Sequence, residues 1–188
     1  MKFNSLLAAA SVALTATAQP TGTCAPSTPD TFGLVAIHSG NAVQYAGFNA
    51  ALRSIFAGLP SQNATCDGTD DGFATFYIQD SALFLYGPSE TPQQIFVDRS
   101  GMGQGKIGYT VGDESGPRNG ERTGWAIDAD NHLQFDGSDL IACPNSIDGA
   151  YSIWASAGVA NPAGNSDCVG IAARVEKSTD ATRCTYSS

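Results

Sequence analysis

Between Gly124 and Ala157 apolar and polar residues alternate more cleanly than anywhere else in the chain. Trp125 and Ile127 share a face with Leu133 and Phe135, while Ala126 and Asp128 point the other way. Asp130-Asn131, between the two runs, tolerates the positive φ of a tight turn. The spacing predicts a β-hairpin. A second strand pair, Leu140–Cys143 and Tyr151–Ala155, follows across the turn formers Pro144-Asn145 and Asp148-Gly149. The same cadence occurs twice upstream. Val35, Ile37, Val43, Tyr45 and Gly47, and then Phe76, Ile78, Leu83, Leu85 and Gly87, match Trp125, Ile127, Leu133, Phe135 and Gly137. The marker glycines stand 40 and 50 residues apart, within the range of repeat architectures, and each unit is too short to bury its own face.

Extending the pattern gives strands at Phe32–His38, Val43–Gly47, Leu52–Ala57, Thr75–Gln79, Leu83–Tyr86, Gln93–Asp98, Lys106–Val111, Trp125–Ala129, His132–Asp136, Leu140–Cys143, Tyr151–Ala155 and Val169–Val175. Asn49–Gly58 fits a short helix as well as a strand. The expected fold is all-β, with about twelve short strands in a single compact domain over 32–188. The threefold cadence favours a β-trefoil-like barrel, with a two-sheet β-sandwich as the alternative.

Met1–Ala18 stands apart. One basic residue, an apolar run Leu6–Leu14 and the end Ala16-Thr17-Ala18 read as a secretory signal peptide. The run is far short of the roughly 18 residues that span a bilayer, so no membrane anchoring is expected. Gln19–Thr31, rich in Pro and Thr, is an irregular lead-in. Loss of Lys2 with the signal takes the formal charge from −9 to −10, which argues against a nucleic-acid partner and suits solubility outside the cell.

Export places Cys24, Cys66, Cys143, Cys168 and Cys184 in an oxidising compartment, where five thiols make two disulfides and leave one over. Cys143–Cys168 is the favoured pair, because the loop between them folds back through the last hairpin. Cys24 in the lead-in is the candidate for a disulfide to another molecule; the competing arrangement joins Cys24 to Cys184. Asn63-Ala64-Thr65 is an N-glycosylation acceptor in a polar loop. No cysteine spacing suits zinc, and His38 and His132 are isolated, so neither metal nor cofactor is expected. Gly103–Gly108 fits GxGxxG in form only, since it leads into a strand rather than a helix. Asp67–Gly72 resembles the start of a calcium loop but lacks an acidic twelfth position. Asp128 and Asp130 lie two apart on one strand and cannot face each other across a bond, and no GxSxG elbow is present. Trp125 and Trp154 are the candidate sugar-stacking residues, with core packing as the plainer reading.

Phe32–Ser39, the Gly124-Trp125 hairpin, Ala142-Cys143-Pro144, Asn161-Pro162 followed by Cys168, and the ending Cys184–Ser187 together resemble the fungal cell-wall protein PhiA family over nearly all of 32–187. The resemblance implies a secreted, wall-located, non-enzymatic protein needed for phialide and conidium development, with IgE-binding allergens among its relatives. Its expected partner is a wall polysaccharide or wall protein. The alternatives are a secreted carbohydrate-binding module, recognising glucan, chitin or mannan through exposed aromatics such as Tyr45, Tyr86, Tyr109, Trp125 or Trp154, and a small extracellular enzyme or inhibitor.

Overall fold

Short polar or strained pairs cut the chain into strands too short to stand alone, so each must find partners elsewhere in the sequence. The computed structural model describes residues 29–188. The predicted signal peptide and most of the lead-in, with Cys24, lie outside them. Among the described residues are β1 (Thr31–Ile37), β2 (Phe48–Ala51), β3 (Ser54–Ala57), β4 (Thr65–Cys66), β5 (Phe76–Gln79), β6 (Ala82–Leu85), β7 (Gln93–Asp98) and β8 (Lys106–Val111). The chain continues with β9 (Gly120–Glu121), β10 (Trp125–Ile127), β11 (His132–Phe135), β12 (Leu140–Cys143), β13 (Tyr151–Ala155), β14 (Val169–Lys177) and β15 (Cys184–Thr185). The protein is all-β. Asn49–Gly58 holds no helix: β2 and β3 form a hairpin around Leu52-Arg53, both at positive φ.

Six pairings return to their starting point. β1 pairs with β5, β5 with β6, and Ala82 of β6 bridges Thr123 just ahead of β10. Ser81 carbonyl accepts from Gly124 and Trp125 N–H at the same junction. β10 then pairs with β11, β11 with β14, and β14 with β1. The remaining hairpins, β2–β3, β7–β8 and β12–β13, pair with one another, Ser54 with Gly108, Lys106 with Trp154, and Tyr151 with Ala57. Inward residues of all these strands meet in one apolar centre. Leu34, Phe48, Ile55 and Phe76 come from β1, β2, β3 and β5, Leu83, Ile95, Ile107 and Trp125 from β6, β7, β8 and β10, and Leu133, Leu140 and Ile153 from β11, β12 and β13. The void between them is about 10 Å³, too small and too apolar for water.

Two of the three expected hairpins are present, as β5–β6 and β10–β11. The third is not. Residues 42–45 are turns, and only Gly47 bridges Val35. Val43 is buried and Tyr45 exposed, so the two do not share a strand face. Local side chains satisfy the backbone instead: Gln44 Oε1 accepts from His38 N–H at 2.5 Å and Asn41 Oδ1 from Val43 N–H at 3.0 Å. β14 and β1 take the vacant role, with Leu34 opposite Val175 and Ala36 opposite Ala173. Leu52-Arg53 likewise shortens the strand expected at 52–57, and the two-residue strands β4, β9 and β15 carry no alternation to read.

The carboxyl-terminal segment, polar in sequence, is built into the fold. Tyr186 is buried, and its backbone is held as if by a strand: Gln93 Nε2 donates to Tyr186 carbonyl at 2.9 Å, and Tyr186 N–H donates to Gln93 Oε1 at 2.9 Å. Tyr109 hydroxyl donates to Ser187 carbonyl. Burial pushes the Tyr186 phenol up to about 12. Gln93→Leu keeps the apolar bulk but leaves both backbone groups unpaired. It should cost about 2–3 kcal/mol in denaturant unfolding. A loss below about 0.5 kcal/mol, the range of neutral surface changes, would show that the tail is not clamped there.

Candidate functional site

Both cross-links join segments that strand pairing already brings together. β12 pairs with β14, with Ala142 opposite Val169, and Cys143–Cys168 spans the adjoining ends. This is the pair favoured from sequence. Cys66–Cys184 joins β4 to β15. The competing Cys24–Cys184 arrangement is therefore overturned, since Cys184 is bonded to Cys66. Four of the five cysteines are paired, and the fifth, Cys24, lies outside the described residues.

Neither tryptophan offers a ring face to solvent. Trp125 is 2% exposed and packs edge-on to Phe135 with ring centroids 5.0 Å apart. Trp154 is 7% exposed, donates from Nε1 to Ser152 Oγ at 2.9 Å, and has Lys106 Nζ 5.5 Å from its ring. Trp125 is interior because the alternation that marks it aims it at the same centre as Leu133 and Phe135. Trp154, next to the inward Ile153, is covered on the opposite side of β13, and Tyr109 is likewise buried. Burial lowers the Lys106 pKa, and its Nζ donates to Ser54 Oγ at 2.7 Å where the three hairpins meet.

Asp128 is occupied in closing a turn: its Oδ1 accepts from Asp130 N–H at 3.0 Å and His132 N–H at 2.8 Å. His132 Nδ1 stands 3.8 Å from Asp128 Oδ2. Among the described residues, no group of three His, Cys, Asp or Glu side chains is placed to hold a metal ion.

The surface carries the more distinctive features. Asn63 is exposed at φ 50°, and Ser61 hydroxyl donates to its Oδ1 at 3.2 Å. Tyr45, 68% exposed, and Phe73, 52% exposed, line one groove of about 280 Å³ with Asp71, Thr75, Glu176 and Lys177 on its rim. A wider groove of about 880 Å³ runs past Pro29, Tyr77, Tyr86, Pro88 and Arg183. There Tyr77 stacks on Phe84 at 5.1 Å, Arg183 lies 5.8 Å from the Tyr86 ring, and desolvation raises the Tyr77 pKa. Phe73 and Tyr77 were not singled out from sequence. The readable signal was Phe73 itself, an aromatic directly after the polar run Thr69–Gly72.

Residues 32–187 match the family described as PhiA-like secreted protein. A cell wall protein phiA of Emericella nidulans is 74% identical over 189 residues, covering the whole of both chains. One from Aspergillus fumigatus is 67% identical over 99% of each chain, and one from Arthroderma benhamiae 40% identical over 87% of this chain and 91% of that one. The chain belongs to the PhiA family. Like these relatives it is a secreted, cell-wall protein. No solved structure matches it.

The PhiA match has structural limits as well as sequence ones. It starts one residue into β1 and ends at Ser187, whose carbonyl accepts from Tyr109 and from Arg53 N–H at 3.3 Å. Apart from Thr31 opposite Tyr77, the pairings of the cycle and both cross-links fall inside it, whereas Cys24 and the predicted signal peptide fall outside.

Proposed function

We propose that this PhiA-family chain is exported by a signal peptide at 1–18 and acts as a non-enzymatic protein of the fungal wall in asexual development, in phialide and conidium formation. The observation that carries this reading is the 74% identity, end to end, with the cell wall protein phiA of Emericella nidulans. A doubly cross-linked β structure supports it, as does the use of Asp128 in closing a turn rather than in facing a cleft. Deletion of the gene should reduce phialides and conidia, and tagged protein should appear in wall fractions. Normal conidiation in the deletion strain, with the protein found only in the medium, would overturn the reading.

The same proposal takes residues 32–188 as one domain and its architecture as a β-trefoil-like barrel. The six-membered cycle of pairings would form the wall and the three mutually paired hairpins the cap. An experimental structure without a pseudo-threefold axis would reject that and favour the sandwich. Asn63 is proposed to carry N-linked glycan, and Cys24 to form the reducible link to a wall partner. Cys24→Ser should release more protein from walls without reductant; unchanged extraction would refute the link. A second reading, retention by binding a wall polysaccharide, is supported by the exposed pair Tyr45 and Phe73.

A further inference from the structure

Tyr45 and Phe73, both largely exposed, line a single concavity. Bare aromatic surface concentrated in one place marks a contact surface more often than scattered exposure does. The backbone holds both in place. Tyr45 sits at φ 66°, a conformation that is strained for a bulky side chain, and its N–H is fixed to Ala36 carbonyl at 2.8 Å. Phe73 is clamped from both ends: its N–H donates to Asp71 Oδ1 at 3.0 Å, and its carbonyl accepts at 3.0 Å from Gln62, a fully buried amide. Its ring lies over Gly47, where any Cβ would overlap it. The exposed rings are therefore set in position rather than left over.

The remaining lining is suited to hydroxyl groups. Asp71 spends Oδ1 on the Phe73 backbone, and Glu176 Oε1 accepts from Arg174 Nε at 2.6 Å, so each carboxylate keeps an oxygen with acceptor capacity. Thr75 and Lys177 add hydroxyl and ammonium groups to the rim. Aromatic faces flanked by a few convergent polar groups are the chemistry of a small-ligand site, and about 280 Å³ is at the small end of such sites. A pyranose ring meets that demand with apolar C–H faces for the rings and hydroxyls for the carboxylates. Two carboxylates, on a chain of formal charge −9, select against anionic polymers. All-equatorial glucose presents an unbroken C–H face, whereas mannose interrupts it with an axial hydroxyl. Chitin replaces a donor hydroxyl by an acetamide on every ring.

We propose that the groove between Tyr45 and Phe73 binds a neutral, β-linked glucan of the wall, with sugar rings against the two aromatics and hydroxyls donating to Asp71 and Glu176. The proposal rests on the wall location of the chain and is independent of its developmental role. Titration calorimetry of the mature protein with laminarihexaose and cellohexaose should show binding of at least one. Tyr45→Ala and Phe73→Ala should each weaken it at least tenfold, with Tyr86→Ala in the wider groove leaving it unchanged. Tyr45 is mostly exposed, so Tyr45→Ala should keep the wild-type unfolding midpoint and remains informative if Phe73→Ala fails to fold.

Absence of binding to both glucose hexamers would overturn the proposal. So would preference for chitohexaose or mannan, or affinity retained in Tyr45→Ala. A deletion strain that conidiates normally would remove the developmental reading and leave this measurement untouched.

Discussion

Replacing Cys66 and Cys184 together by serine is expected to lower the unfolding free energy by about 5 kcal/mol, against about 3.5 kcal/mol for the Cys143 and Cys168 pair. The difference comes from the chain closed by each bond: 118 residues separate the first pair and 25 the second, and loop-closure entropy grows with the logarithm of that number. Strain should not reverse the order, because each bond joins segments already paired, Cys66 opposite Cys184 and Ala142 opposite Val169. Guanidinium unfolding of the two double variants, followed by fluorescence, reads both values. A larger loss in the Cys143 and Cys168 variant would reject the entropic account and point to packing around the buried Cys143.

Trp125→Ala should cost about 3–5 kcal/mol, as truncation of a large ring in a filled centre does. The neighbouring void is only about 10 Å³, and Phe135 rests against the ring, so the space cannot close without shifting several strands. Trp125→Phe has a different expectation. Trp125 Nε1 is buried and has no hydrogen-bond partner among the described residues, so its removal relieves an uncompensated donor while giving up part of the ring. The net change should be below about 1.5 kcal/mol, the range of well-tolerated core swaps. Trp154→Phe provides the contrast, since Trp154 Nε1 does have a partner in Ser152 Oγ. If Trp125→Phe is as damaging as Trp125→Ala, the indole donor has a partner that the packing argument has missed.

The all-β character was legible because short alternating runs separated by turn residues admit little else. The turn chemistry was readable too: Asn131, Asn145, Asp148 and Gly149 all take the positive φ expected at tight turns. The β7–β8 and β12–β13 pairs follow from nearest neighbours in sequence. The pairing of β14 with β1 does not, because nothing local in Leu34 announces Val175 as its partner. The false hairpin at Val43–Gly47 came from reading apolar spacing without the side-chain acceptors Asn41 and Gln44, which compete with a ladder. Tyr186 was hidden in a polar ending because its burial depends on Gln93, distant in sequence. The candidate surface was half legible. Tyr45 could be named as an aromatic, but periodicity is blind to which rings face inward, and it promoted the two tryptophans that the core absorbs.

The union of β1 with β14 also governs how the exported chain can acquire its structure. A secreted polypeptide is delivered amino end first, so Thr31–Ile37 emerges long before Val169–Lys177 is available to pair with most of it. Contacts of such high sequence separation place the molecule among slow-folding topologies. Cys143 meets its partner only 25 residues further on. The Cys66 thiol, by contrast, stays open to exchange until Cys184, 118 residues later, has been delivered, so correct oxidation becomes a late step in secretion and reports that β15 has arrived.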